Sequence, residues 1–260
     1  MPKRLIFDLI KPAREIKKEI KSLAFKLQHR DREQFNCPVC NYAGAFKEVH
    51  PPTGSRQHAL CPKCYALERH RIQYLVINEL LNKMDTANLS MLHFAPENFF
   101  RDYFAAKFGK YETADLYMPN VDYQVDIQDL PFADGSYDFI FASHVLEHIP
   151  DDNKAIAEIR RILKPNGIAV LPVPLLAETT IEYPEPNPNE EYHVRAPGFD
   201  YFDRFQPYFQ KVDKISSDSL PQQYQLYIYE DRTGWPTKEC PLRPTMSGEK
   251  HLDVVPICYA

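Results

Sequence analysis

The first apolar pattern along the chain is helical. In Pro12 to Arg30 the residues Ile16, Ile20, Leu23, Ala24 and Leu27 recur every three or four positions beneath a lysine-covered polar face, which predicts an amphipathic helix. A second helix is predicted over Ala66 to Leu81, where Leu67, Ile72, Leu75, Val76, Leu80 and Leu81 keep the same spacing behind Glu68, Arg69, His70 and Arg71. From Ser90 onward the period changes. Short apolar runs predict strands at Met91 to Ala95, Glu112 to Leu116, Tyr123 to Ile127, Tyr137 to Ser143 and Ile168 to Val173. Helices are expected between them at Pro96 to Phe108, with proline and Glu97 in its first turn, and at Asp151 to Leu163. The latter is capped by Asp151, striped by Ile156, Ile159, Ile162 and Leu163, and stopped at Lys164-Pro165-Asn166-Gly167.

Strands alternating with helices are the signature of a parallel sheet with crossover connections. Towards the end, Phe199 to Phe209 reads as a helix, followed by strands at Lys211 to Ser216 and Gln225 to Glu230. The expected architecture is therefore α/β: a Rossmann-like, doubly wound, mostly parallel sheet finished by an antiparallel C-terminal hairpin. The sequence carries no internal repeat.

Composition narrows the class. With 260 residues, 44% hydrophobic and 26% charged, the chain can bury a catalytic-size core plus a smaller appendage, and it is neither collagen nor a disordered tail. Glycine is scarce (8) and proline abundant (23), which predicts stiff turns in place of flexible glycine loops. No uncharged apolar run approaches the roughly 18 residues of a membrane span. Met1-Pro2-Lys3-Arg4 leads into charge before a signal-peptide core builds up, so a soluble cytoplasmic protein is expected. The net charge of −5 hides an asymmetry: through Arg30 there are nine Lys/Arg against three Asp/Glu, and 22 against 33 thereafter. The basic helix is either a solvated element packing its stripe on its own domain or a surface for an anionic membrane, RNA or a partner protein. The acidity of the remainder weighs against RNA.

Four of the six cysteines form Cys37-Pro38-Val39-Cys40 and Cys61-Pro62-Lys63-Cys64, two C-x2-C pairs separated by 20 residues. Two residues between thiols let each pair curl into a knuckle with both sulfurs on one side of a metal, and four thiolates close a tetrahedron with no open position. The expected ion is structural Zn2+. A redox dithiol would need one such pair only, and disulfides are disfavoured in an intracellular chain. His50 and His58, between the knuckles, are expected on the loop surface, while Cys240 and Cys258 have no ligand spacing. The organisation predicted is a basic helix over 1–33, a small N-terminal zinc ribbon over 34–66, the sheet domain over 67–231 and a Pro-rich tail over 232–260 with the single Trp235.

In such sheets ligands bind beyond the carboxyl ends of the strands, and four of these ends carry distinctive chemistry. Leu92-His93-Phe94-Ala95-Pro96-Glu97 is a strand-to-helix turn where a nucleotide-binding protein would show glycines. Asp115 follows Ala95 by 20 residues, the distance at which a carboxylate on the next strand can grip a ribose diol. Asp126-Ile127-Gln128-Asp129-Leu130-Pro131-Phe132 places a carboxylate at a strand end before a rigid turn. Ser143-His144-Val145-Leu146-Glu147-His148 breaks a buried strand into a run rich in titratable groups. Each aspartate taken alone is equally suited to capping a turn.

Together these motifs resemble the class I S-adenosylmethionine-dependent methyltransferases, in particular the type 11 branch. The resemblance covers Met91 to Val173 and is specific through Asp126 to Phe132, Asp134-Gly135-Ser136-Tyr137-Asp138, Ser143 to Pro150 and Leu163 to Gly167. With the cysteine knuckles, the chain looks like a zinc-ribbon-bearing subgroup often associated with bacterial glycan or secondary-metabolite modification. The resemblance implies that Ala95, Pro96 and Glu97 lie beside the methionine part of S-adenosyl-L-methionine, that Asp115 binds the ribose hydroxyls, that Asp126 and Ile127 flank the adenine, and that Ser143 and His144 close the sulfonium side. The family's glycine loop is replaced here by Ala95-Pro96-Glu97. Adenosylmethionine has no pyrophosphate, so this loop need only admit an amino acid moiety, whose ammonium Glu97 can receive.

Methyl transfer is an in-line displacement in which the sulfonium supplies its own leaving group. A hydroxyl acceptor also needs a base, for which His144, His148 and His193 are the candidates, with Glu147 as an orienting carboxylate. His144 stands directly after a strand end, whereas Glu147 and His148 also suit a helix start. His193 and Arg195 lie in the proline-bearing insertion after Val173, expected to be a lid that meets a polar or anionic acceptor or else a surface loop. The function expected is methylation of a hydroxyl or amine on a small molecule, a saccharide or a carrier-bound intermediate. An RNA methyltransferase is weighed against it. Around the ribbon, Lys47, Arg56 and Lys63 face Glu48 alone, a weak basic patch for nucleic acid. A non-catalytic scaffold is the third reading.

Overall fold

The structure, a computed structural model, describes residues 16–260. The first helix, α1, spans 16–28 of these, and the expected start at Pro12 lies outside the described residues. Two short hairpins follow: β1 (Phe35–Asn36) with β2 (Ala43–Gly44), and β3 (Lys47–Val49) with β4 (Arg56–Leu60). Helix α2 (Glu68–Leu81) leads into the sheet domain. That domain runs through β5 (Ser90–Phe94), α3 (Asn98–Ala105), β6 (Lys110–Asp115), β7 (Tyr123–Gln124), β8 (Tyr137–Ala142), α4 (Asp152–Ile162) and β9 (Leu163–Val170). Next come a hairpin of β10 (Ile181–Asn187) and β11 (His193–Ala196), then β12 (Lys211–Ser216), β13 (Ile228–Tyr229), β14 (Lys250–His251) and β15 (Val254–Tyr259).

Seven strands form one sheet in the order β12-β15-β9-β8-β5-β6-β7. Five are parallel, and β15 runs antiparallel between β9 and β12. Alternate residues serve opposite faces, as the pleat requires. Leu92, Ile140 and Ala169 face α4 through Ile156, Ile159 and Ile162. Met91, Phe139, Phe141 and Val170 face α2 and α3 through Ile72, Val76, Phe100 and Phe104. Both faces are covered, which is why these strands read as continuous apolar runs. Chain order moves outward from β5 to β6 and β7, then returns to β8 and β9 on the other side. The crevice between the carboxyl ends of β5 and β8 is therefore the switch point of the sheet.

Several expectations change. The hairpin partner of β12 is β15, not Gln225 to Glu230. Ile228–Tyr229 pairs instead with β4 and β14, giving a four-stranded sheet β14-β13-β4-β3 that welds the ribbon to the C-terminal region. Residues 254–259, placed by their proline-rich surroundings in a tail, are a nearly wholly buried strand of the main sheet. The Lys164-Pro165-Asn166-Gly167 stop lies inside β9, across an irregular register with β8. Phe199 to Phe209 forms tight three-residue turns over Phe199–Phe205, not an α-helix.

Among the described residues nothing covers the apolar stripe of α1, which was expected to pack on its own domain or to meet a partner. Ile16, Ile20, Leu23 and Leu27 are each more than half exposed, while the other face meets the ribbon through a Glu19–Lys63 ion pair (2.6 Å) and Lys47 over the Phe25 ring. Among the described residues no helix is long and apolar enough to cross a membrane.

Candidate functional site

The ribbon carries the first constellation. Cys37 Sγ lies 3.5 Å from Cys64 Sγ and Cys40 Sγ 3.6 Å from Cys61 Sγ, with all four sulfurs within 4.8 Å of one another. The edge of a tetrahedron of four sulfurs built on 2.3 Å zinc–sulfur bonds is about 3.8 Å, so the four thiols are spaced for that ion with little adjustment. The two knuckles are built alike. Asn41 N donates to Cys37 O and Tyr65 N to Cys61 O, each from a residue with positive φ. The cluster is thus compatible with zinc, as the spacing predicts.

The second constellation surrounds the switch point. Ala95, the first residue past β5, takes the left-handed conformation (φ 44°) that a glycine would adopt without strain, and His144 past β8 does the same (φ 54°). These turns aim both strand ends at a cavity of about 540 Å3. Ala95, Glu97, Ser143, His144, Glu147, His148 and His193 all line it. A smaller hollow of about 430 Å3 adjoins, bounded by Pro96, Glu97, Arg101 and the Met118–Asn120 loop after β6. Glu97 is the wall shared by the two.

Glu97 is already engaged on one side. Its Oε1 accepts from Arg69 Nη2 (2.8 Å) and lies 3.0 Å from His70 Nε2, while its buried Oε2 has no partner. Burial alone would raise this carboxyl, but the His70 and Arg69 contacts prevail and hold it well below the usual carboxylate range. Ser143 Oγ donates to Gln73 Oε1 on α2. Asp115 and Asp126 stand at the ends of β6 and β7 as expected, yet each carboxylate closes a local turn. Asp115 Oδ1 accepts from the Tyr117 and Met118 amides (2.7 and 2.6 Å) and Asp126 Oδ1 from the Gln128 amide (2.8 Å). Neither they nor the buried Ile127 lines either hollow.

The histidines do converge. Glu147, wholly buried, places Oε1 at 3.5 Å from His144 Nδ1, 4.0 Å from His148 Nε2 and 4.0 Å from His193 Nε2. Both its oxygens lack hydrogen-bond partners, as do His144 Nε2 and His193 Nδ1. Burial pushes the Glu147 carboxyl up to about 8 and the His193 imidazole down to about 3, and drives His144 well below the ordinary histidine range. His148 is lowered for the same reason. His193 reaches this point because β10 and β11 fold the insertion back over the end of β8. Arg195 does not meet the cavity as expected. Buried, it donates to the Leu146, Ile149 and Pro150 carbonyls and so fixes the turn carrying Glu147 and His148.

The opposite wall was not visible in the sequence. Arg56 and Glu68 come from the ribbon side, Glu190 from the turn between β10 and β11, and Glu230, Arg243 and Asp253 from the C-terminal region. No spacing rule links segments so far apart. Asp253 is wholly enclosed, and burial, with Glu68 nearby and only partly offset by Arg69 and Arg56, raises its carboxyl to about 7. The raised value means the folded protein binds a proton here that the unfolded chain releases near pH 4. Stability from this group is full below that point and is lost as pH rises towards 7. Asp253→Asn is therefore expected to match the parent at pH 4 and to exceed it at pH 8 by up to about 4 kcal/mol, as read by urea denaturation. An equal pH slope in the variant would refute the assignment.

Residues 87–171 match the family model described as a methyltransferase domain. The segment between the approach to β5 and the end of β9 is accordingly a methyltransferase domain. An uncharacterised 37.1 kDa protein in a transposon of Streptomyces fradiae is 41% identical over 69 residues, 26% of this chain and 20% of that protein. A demethylmenaquinone methyltransferase of Bacillus velezensis is 33% identical over 84 residues, 32% of this chain and 31% of that one. The chain thus spans a third or less of the length of these curated relatives. Among solved structures, a Haemonchus contortus phosphoethanolamine N-methyltransferase in complex with S-adenosylhomocysteine overlays with a TM-score of 0.43 at 18% identity, covering 56% of this chain and 38% of that one.

Proposed function

We propose that this chain is an S-adenosylmethionine-dependent methyltransferase that methylates an oxygen or nitrogen of a small molecule, a saccharide or a carrier-bound intermediate, with its four-cysteine ribbon closed around a structural zinc ion. The observation that carries this reading is the meeting of Ala95, Glu97, Ser143 and His144 with lid residue His193 at the switch point of a methyltransferase-domain sheet.

In this reading the adenosine lies over the hollow beside Met118, and the methionine passes Glu97, whose unpartnered Oε2 receives the ammonium. Ser143 and His144 then face the sulfonium side. Asp115 is assigned to the ribose through its second carboxylate oxygen, and Asp126 with Ile127 to the adenine edge. The bound cofactor supplies an activated methyl group. The chain's own residues position the acceptor, exclude water beneath the β10–β11 hairpin and accept a proton at His144 Nε2 when the acceptor is a hydroxyl.

Isothermal titration with S-adenosylhomocysteine tests this. The parent protein is expected to bind in the micromolar range, and Glu97→Gln to bind at least about tenfold more weakly, a loss near 1.4 kcal/mol. Asp115→Asn keeps an acceptor for the Tyr117 and Met118 amides but removes the charge, and it is expected to abolish measurable binding. No heat with the parent protein would favour the scaffold reading. Unchanged affinity in Asp115→Asn would move the ribose elsewhere.

A further inference from the structure

Glu147, His148 and His193 are not accounted for by cofactor binding. A carboxylate whose side chain is wholly buried, with neither oxygen hydrogen-bonded, is costly unless a cation or a proton meets it. The arginines nearby are committed elsewhere: Arg69 to Glu97, and Arg195 to backbone carbonyls, Glu182 and Asp152. What does face Glu147 is imidazole nitrogen. The donor atoms of Glu147, His148 and His193 lie within 4.8 Å of one another, with both histidine Nε2 atoms 4.0 Å from the same carboxylate oxygen.

We infer that Glu147, His148 and His193 form a second metal site, distinct from the four-cysteine cluster, that takes a divalent cation of the Mn2+, Co2+ or Zn2+ class at the acceptor end of the cavity. Two imidazoles and a carboxylate are the donor set such ions favour, and three protein ligands leave positions open for an oxygen of the acceptor. Ligand atoms about 2.1 Å from a metal stand roughly 3.4 Å apart in a tetrahedral arrangement, so each imidazole nitrogen, now 4.0 Å from the carboxylate oxygen, needs to approach it by about half an ångström. The surroundings already orient them. His193 Nδ1 has no hydrogen-bond partner but stands 4.0 Å from Glu190 Oε2, and an approach of about 1 Å makes this the carboxylate–imidazole hydrogen bond that turns the opposite nitrogen towards a metal. Glu190 is itself held by Tyr183, Asn187 and Arg243. The turn bearing Glu147 and His148 is held by Arg195. Two rigid mounts, one on the sheet and one on the lid, thus meet at one point.

The role of the site rests on the methyltransferase reading, although its existence does not. An acceptor hydroxyl bound to the cation loses its proton more readily, and the proton passes to His144 Nε2. The oxygen then forms a bond to the methyl carbon while the carbon–sulfur bond breaks, its electron pair remaining on sulfur as a neutral thioether. The acceptor class narrows accordingly to a hydroxyl-bearing molecule, one with a neighbouring oxygen being favoured as a chelate.

Titration of the full chain with Co2+, followed by Mn2+ and Zn2+, tests the site by stoichiometry. Two cobalt equivalents per chain are expected, of which only one produces a thiolate-to-cobalt charge-transfer band. His193→Ala and, separately, His148→Ala should lower the count to one while keeping the thiolate band and the parent's cooperative melt. Those two readouts show that the variants remain folded. A parent protein that takes up the thiolate-bound equivalent alone with all three metals, while still binding S-adenosylhomocysteine, overturns the second site and leaves the methyltransferase reading standing. Two equivalents without S-adenosylhomocysteine binding uphold the site and overturn that reading instead.

Discussion

Cys61→Ser is expected to unfold the ribbon and remove one metal equivalent per chain while the seven-stranded sheet still melts cooperatively. Cys61 is entirely buried and opens the second knuckle, and its sulfur lies against Cys40. The ribbon core beneath the four sulfurs is small, with Phe35, Tyr42, Phe46 and Ala66 as its main apolar contributors. A core of that size cannot offset chain entropy unaided, so cation binding becomes folding energy, on the order of 10 kcal/mol in isolated zinc modules. Serine offers no thiolate, and most of that contribution goes. The chelator-treated parent should behave like the variant. Metal analysis together with limited proteolysis reads the effect, with cleavage appearing across residues 34–66 before the sheet melts. A metal-free protein with the parent's proteolytic pattern would disprove the structural role.

Arg71→Met should cost about 3–5 kcal/mol, since each buried carbonyl left without a donor costs about 1–3 kcal/mol. The guanidinium has no exposure and does not rely on a carboxylate. It donates to the Ala59 and Ala66 carbonyls of the ribbon (2.7 and 2.9 Å) and to the Tyr224 and Gln225 carbonyls after β12 (3.0 and 2.6 Å), and it lies 4.4 Å from the Phe46 ring centre. Burial lowers its pKa from the ordinary arginine value, yet these carbonyl dipoles keep the charge satisfied. One side chain on α2 thereby ties the ribbon, the sheet domain and the C-terminal region together. Methionine fills similar volume but leaves several buried carbonyls without donors. The thermal midpoint should fall by about 10 °C or more for a chain of this size, and Arg71→Lys should recover less than half of that, since an ammonium cannot reproduce the planar fork. An unchanged midpoint in Arg71→Met would show that the carbonyls find other donors and that the joint is not built on this residue.

The exposed stripe of α1 and the ribbon's role in the cavity wall bear on the alternatives weighed for this chain. Pro51, Pro52, Thr53 and Arg56 of the second hairpin line the large cavity. Ribbon and seven-stranded sheet therefore share one wall, and the ribbon has a structural claim on the site without any appeal to nucleic acid.

Local rules were enough for much of this protein. The knuckles follow from C-x2-C spacing, because a tight turn with two thiols is decided within a few neighbouring residues. The parallel strands, the capping of α4 by Asp151, whose side chain accepts from the Lys154 amide, and the chemistry gathered at the ends of β5 and β8 follow from periodicity and caps in the same way. Where the chain depended on distant partners, sequence order misled. Val254–Tyr259 looked like part of a proline-rich tail, yet it is the strand that bridges β9 and β12. Arg195 looked like a ligand contact and is a buried brace. Asp115 and Asp126 stood where expected, and the turn capping weighed for each beside ligand binding is what their bonds to the following amides form. Above all, the meeting of Glu147 and His148 with His193 is a tertiary result. A period-two or period-3.6 pattern reports which face of an element is buried, because neighbours along the chain share that element's geometry. It carries no information about which remote loop will close over a strand end, since that is settled by the packing of a lid against the finished sheet.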